Sequence, residues 1–274
     1  MLVLLVGCLG LPPEVPNTPA VLTETNAPEA MSVASPDLPY LIYATLQQLQ
    51  VEDFRTCPAY SGTSASVTYT GDCSDSAYVS WEGEATSSVS GYSTSISVDN
   101  FGVSGLAGGW KASGTIDVEA ARGSASVFIT SALTIVQLDA PAKVYWVDTA
   151  GSYTSDEDSQ ILYADEYSGT VGIQDVGLVK VDTLRTAVAI ANECDFAAAG
   201  TGTSQLSGKN VEDLEFHPDS AVDGGTADTG GDTGTATTTV SACGCPTVSL
   251  DSVQVYTCAA AKRAFTYPFF PLGE

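Results

Sequence analysis

From Ser64 to about Glu215 the chain alternates apolar and polar residues with a period of two, and that pattern leaves few folds open. Successive side chains of a strand point to opposite faces, so alternation marks strands with one face buried and one in water. Ala77, Val79, Trp81 and Ala85 alternate with Tyr78, Ser80, Glu82 and Glu84, which predicts Trp81 inward and both carboxylates outward. Ile116, Val118 and Ala120 alternate with Asp117 and Glu119 in the same way. The stretches Ser126 to Leu138, Lys143 to Val147, Gln160 to Ala164, Thr170 to Val181 and Thr186 to Ala191 are rich in β-branched and aromatic residues. Turn signals separate them at Ser90-Gly91, Gly108-Gly109, Arg122-Gly123, Ala150-Gly151 and Ser168-Gly169. The predicted fold class is mainly β: an antiparallel meander forming a curled sheet, a barrel-like or a sandwich domain, with one short N-terminal helix and a disordered N-terminal tether.

The helix is predicted over about 38–50, where Leu38, Leu41, Ile42, Thr45, Leu46 and Leu49 recur at helical spacing behind Pro36 and Asp37. It is expected to cover one end or the open face of the sheet. Residues 1–7 read as a signal remnant, 8–34 as a tether, 35–220 as the helix plus β-domain, 221–241 as an acidic Gly/Thr linker or loop, and 242–274 as a small Cys-containing β-segment packed on the main domain. In that last segment Phe265, Tyr267, Phe269 and Phe270 are expected to pack onto the main domain. A transmembrane barrel is disfavoured, because many outward positions are Ser, Thr, Asp or Glu and aromatic residues make up only 8% of the chain. With 33 acidic and 9 basic residues the formal net charge is −24, a field that repels phosphate backbones, so nucleic acid is excluded as a partner.

The N-terminus carries an address. Met1 to Leu11 is almost wholly apolar, and Leu5-Val6-Gly7-Cys8 resembles the lipobox of bacterial lipoproteins. The resemblance implies cleavage before Cys8 and acylation of its side chain and new amino group; Leu9, which is not Asp, implies sorting to the outer membrane. The first cation is Arg55, so a cationic n-region is expected upstream of Met1. The run Leu11-Pro12-Pro13-Glu14-Val15-Pro16-Asn17-Thr18-Pro19 reads as an extended spacer. Membrane contact is expected through the Cys8 acyl anchor, with the domain facing the periplasm or the cell surface and an envelope protein or glycan as a further partner.

The other cysteines, Cys57, Cys73, Cys194, Cys243, Cys245 and Cys258, form an even set suited to an oxidising compartment. Cys57 and Cys73 flank a short segment and make the expected local bridge. Cys243 and Cys245 are separated only by Gly244 and are expected to reach Cys258 and Cys194. Zinc is disfavoured, since Cys243-Gly244-Cys245 lacks the two-residue knuckle spacing and the only histidine is His217. No cofactor is expected; Asp223, Asp228 and Asp232, or Asp156-Glu157-Asp158, are weak calcium candidates without EF-hand spacing.

No catalytic residues are predicted. A histidine base at the edge of the linker is poorly positioned, and neither a nucleophile elbow nor a phosphate-binding glycine loop is present. The acid pairs Glu82/Glu84, Asp117/Glu119 and Asp165/Glu166 could serve a hydrolase only if two converged across a cleft. The expectation is a non-catalytic, lipid-anchored envelope protein with a structural or surface-interaction role. The alternative is a carbohydrate- or lipid-binding module lined by Trp81, Trp110, Trp146 and tyrosines; an acid-pair hydrolase is the third reading.

Overall fold

The computed structural model describes residues 14–51, 57–76, 79–105, 108–120, 126–138, 142–156, 161–187, 204–209, 214–218, 246–250 and 253–256. Two helices, α1 (Ala27–Val33) and α2 (Asp37–Val51), precede the strands. They are followed by β1 (Ala59–Thr63), β2 (Ser66–Thr70), β3 (Cys73–Ser76), β4 (Val79–Ser90), β5 (Ser93–Gly105), β6 (Gly108–Ala120) and β7 (Ser126–Gln137). Then come β8 (Lys143–Asp156), β9 (Ile161–Ile173), β10 (Gly177–Ala187), β11 (Ser204–Ser207), β12 (Leu214–Pro218), β13 (Pro246–Leu250) and β14 (Val253–Tyr256). All belong to one 14-stranded sheet whose named strands pair antiparallel in sequence order, except that β3 lies beside β4 off the main path. Its first and last strands, β1 and β14, do not pair with each other, so the sheet curls without closing into a barrel.

Register explains the curl's inner surface. Residues directly opposite on neighbouring strands share a face, and one such row runs Tyr69, Ala85, Val98, Gly114, Leu133, Val147, Val171, Val179. Its apolar members are all buried. The parallel row Phe101, Ala112, Ile135, Tyr145, Ile173 is buried too. Alternation is preserved through two bulges. In β5 the buried parity shifts from Ile96 and Val98 to Phe101 and Val103 across Asn100, which has φ 49° and whose backbone N–H donates to Ser113 Oγ at 2.9 Å. In β9 it shifts from Ala164 to Tyr167 across Glu166, with φ 53°. Each bulge adds one residue to one strand, which bends the ladder and increases its local twist.

The helices lie on the inner face. In α2, Leu38, Ile42, Thr45, Leu46 and Leu49 are buried, the stripe that the sequence spacing predicts. Helix α1 was not expected and shortens the tether: residues 8–34 were read as spacer, yet Ala20, Leu22, Ala27, Ala30, Met31, Val33 and Ala34 are all buried. Its start is fixed locally, the Thr23 N–H donating to Asn26 Oδ1 at 2.7 Å and the Asn26 N–H to Thr23 Oγ1 at 3.4 Å. Tyr69 and Tyr153 anchor the helical layer by donating to the carbonyls of Leu46 (3.4 Å) and Pro36 (2.8 Å). Tyr40 stacks on Tyr153 with ring centroids 5.4 Å apart. Lys143 on β8 pairs with Glu29 of α1 at 2.6 Å, and Tyr145 OH donates to the same carboxylate oxygen at 3.0 Å.

Two turn signals sit elsewhere than the sequence suggests. Gly108 borders the β5–β6 reversal, opposite Gly105, but Gly151 and Gly169 lie inside β8 and β9, where a Cβ on Gly169 would stand 2.2 Å from the Asp148 carbonyl oxygen. They mark close strand approach rather than a reversal of the chain. The real reversal falls at 174–176, within the stretch read as one strand from Thr170 to Val181. The short C-terminal strands β13 and β14 extend the same sheet through β12.

Candidate functional site

The most distinctive local structure is the place where the N-terminal segment joins the sheet. Thr18 to Ala20 lies alongside the start of β10: the Leu178 N–H donates to the Thr18 carbonyl and the Ala20 N–H to the Leu178 carbonyl, both at 2.8 Å. On its other side the Lys209 N–H donates to the Ala20 carbonyl at 2.7 Å. The segment is thus a short extra strand, parallel to β10, wedged where β10 and the residues after β11 diverge. Ala20 is wholly buried between two glycines. A Cβ on Gly177, which has φ 128°, would stand 2.7 Å from Ala20 Cα, and one on Gly208 would stand 2.5 Å from the Ala20 carbonyl oxygen.

Just before this stitch the chain lies on the outer face. Trp146 and Gly172 are opposite one another on β8 and β9, at positions out of phase with the inward Tyr145 and Val147. A Cβ on Gly172 would meet the Pro16 ring at 2.9 Å and Trp146 Cε3 at 3.2 Å. Pro16 and the indole therefore fill the space above that glycine. Between Pro16 and Leu22 the chain passes from the convex surface, through the sheet, to the concave core. Sequence reasoning missed the stitch because Ala20, Gly177 and Gly208 carry no pattern of their own; their meaning comes from being brought together.

The tryptophans do not line a cleft. Trp81 and Trp110 are buried, and Trp81 packs against Phe101 with ring centroids 5.6 Å apart. Trp146 is half-buried beside Pro16. The acid pairs stay on the solvent side: Glu84, Asp117, Glu119 and Glu166 are exposed, and Glu82 pairs with Lys111 two strands away. Asp117 accepts a hydrogen bond from Ser95 Oγ at 2.6 Å. None of the three pairs opens into the concave face.

The polar groups that the sheet does bury are hydroxyls. Ser131 Oγ lies 2.9 Å from Thr149 Oγ1, to which Tyr167 OH donates at 3.0 Å. Ser87, in the same inward row, has its Oγ buried without a hydrogen-bond partner. Burial pushes the Tyr40 phenol above its ordinary pKa, with neighbouring Tyr43 adding to the shift, and burial does the same to Tyr43.

Cys57 and Cys73 form the expected disulfide, with an S–S distance of 2.05 Å. His217 lies within β12 opposite Thr247, one residue before the strand's last residue, Pro218. Cys8, Cys194, Cys243, Cys245 and Cys258 fall outside the described residues, as do Asp223, Asp228 and Asp232 and the tail from Phe265 to Phe270. Among the described residues no group of three or more His, Cys, Asp or Glu side chains is arranged to hold a metal ion, and no helix is long and apolar enough to cross a membrane. Comparisons with protein-family models, with curated proteins and with solved structures gave no match to this chain.

Proposed function

We propose that the chain is a non-catalytic, lipid-anchored protein of the bacterial outer membrane, holding a disulfide-braced β-domain at the periplasmic or cell-surface side for a structural or surface-interaction role. The observation that carries this reading is the stitch at Thr18 to Ala20. Hydrogen-bonding the N-terminal segment into the sheet would pass position from an acyl anchor to the fold. Here the segment following the Cys8 motif is hydrogen-bonded into the sheet on both sides, ten residues beyond that cysteine. The packed concave face weighs against the binding-module alternative, since Trp81 and Trp110 serve as core and the helices fill the curl.

Metabolic labelling with radioactive palmitate tests the anchor. The chain is expressed in a bacterial host behind a cationic leader, as wild type and as Cys8→Ser. The expected result is label and membrane partitioning in the wild type and loss of both in the variant. Equal labelling of the two forms, or an unlabelled wild type, overturns the proposal.

A further inference from the structure

The position of the stitch fixes more than attachment. The long strands have two ends. One carries the β5–β6, β7–β8 and β9–β10 connections, and here the N-terminal segment joins: Thr18 to Ala20 runs parallel to β10 beside its first residues, and Pro16 covers Gly172 next to the last residue of β9. The other end carries the β4–β5 turn at Gly91 and Tyr92 and the β8–β9 connection. It also carries the connection that leaves β12 at Pro218 and returns at Pro246, since those residues are paired there.

We propose that the end bearing the β5–β6, β7–β8 and β9–β10 connections faces the phospholipid headgroups, with the Tyr92 end held away from the bilayer. The inference rests on acylation at Cys8. Its physical basis is reach. Cys8 and Pro16 are eight residue steps apart, and fully extended these span at most about 29 Å. Strand β9 has 13 residues, and at ~3.3 Å per residue it is about 40 Å long. The tether is shorter than the strand beside which it leaves, so the domain cannot stand on its Tyr92 end while Cys8 stays in the membrane.

Lying flat on the convex face is a further orientation within reach of the tether, and that face is unsuited to it. Its rows read Ser66, Ser88, Ser95, Asp117, Thr130 and Thr68, Thr86, Ser97, Thr115, offering hydroxyls and carboxylate where an interfacial surface needs apolar side chains. Exposed large apolar side chains occur at both ends, Leu138 at the tether end and Val89, Tyr92 and Phe128 at the other, so reach and not apolar exposure decides between the ends.

Photocrosslinking of the acylated full chain in phosphatidylethanolamine/phosphatidylglycerol vesicles tests the orientation. Benzoylphenylalanine replaces, one at a time, Leu138 or Lys209 at the tether end, Thr115 on the convex face, and Tyr92 at the opposite end; all four are exposed. Phospholipid adducts are expected at Leu138 or Lys209 at least tenfold above those at Tyr92 and Thr115. Adducts at Tyr92 or Thr115 equal to those at both tether-end sites, or at none of the four, in protein that carries the acyl chain overturn the orientation and leave the anchor standing. Protein without an acyl chain defeats the anchor and, with it, the orientation.

Discussion

The two faces of the sheet use the same strands and differ in nearly everything else. The concave face carries the buried rows of Ile, Val, Leu, Tyr and Trp and is covered by α1 and α2; the convex face is a ladder of Ser and Thr with scattered carboxylates. Cross-strand hydroxyl pairs such as Ser66–Ser88 at 3.2 Å and Thr68–Thr86 at 3.1 Å typify the outer surface. Such pairs, exposed or part-buried, gain little where water competes for the same groups, whereas each inner side chain adds burial. The stability of the fold therefore resides in one face, and the other is free to vary in chemistry.

The sharpest way to break this contrast is to truncate neighbours of opposite orientation. Ile116→Ala is expected to lower unfolding free energy by about 2–5 kcal/mol, and Thr115→Ala by less than ~0.5 kcal/mol, in urea titrations followed by circular dichroism. Comparable losses for the two would mean that the faces do not divide the work as described. Next in size is the Cys57–Cys73 bridge, which closes a segment of 16 residues. Replacing both cysteines with serine is expected to cost about 3 kcal/mol, chiefly by releasing the unfolded chain, and an unchanged urea midpoint would argue against it.

Smaller differences sharpen the picture inside the concave face. Ser131→Ala removes a hydroxyl that Thr149 uses and is expected to cost about 1–2 kcal/mol, while Ser87→Ala removes a buried hydroxyl without a partner and is expected to be neutral or stabilising. A reversed order in thermal melts would contradict the hydrogen-bond assignment. The smallest effect is one of pH. Tyr40 and Tyr43 have folded-state pKa values raised above 10.0, the unfolded value. The folded state thus keeps protons that the unfolded state releases, so their contribution is intact below that value and is lost as pH rises through the folded pKa. Tyr40→Phe should flatten the alkaline fall in stability above pH ~10; an unaltered slope would show that Tyr40 has no part in it.

Much of this division was legible because burial repeats every second residue. Trp81, Ala85, Ile116 and Val118 point inward and Glu84, Asp117 and Glu119 outward as the alternation predicts, and α2 spans one residue more at each end than its expected 38–50. Helix α1 escaped notice although Ala27, Ala30, Met31 and Ala34 have helical spacing, because alanine carries a weak hydrophobic signal and the preceding prolines suggested a spacer. The glycines at 151 and 169 were mistaken for turns because a strand glycine and a turn glycine look alike until the neighbouring strand is known. The stitch at Ala20 was beyond sequence reading for a related reason: it joins residues from three distant parts of the chain through backbone hydrogen bonds, which depend on position and not on side-chain identity.

Helices α1 and α2 contribute to the core of the curled sheet and are not a lid over a cleft. Native-state hydrogen exchange of the α2 amides tests it most directly. Ile42 and Leu46 are expected to exchange with the same opening free energy as the central strands β6 and β7, one cooperative unit. Exchange of α2 many-fold faster than those strands, with the sheet still protected, would contradict it and return the concave face to consideration as a binding surface.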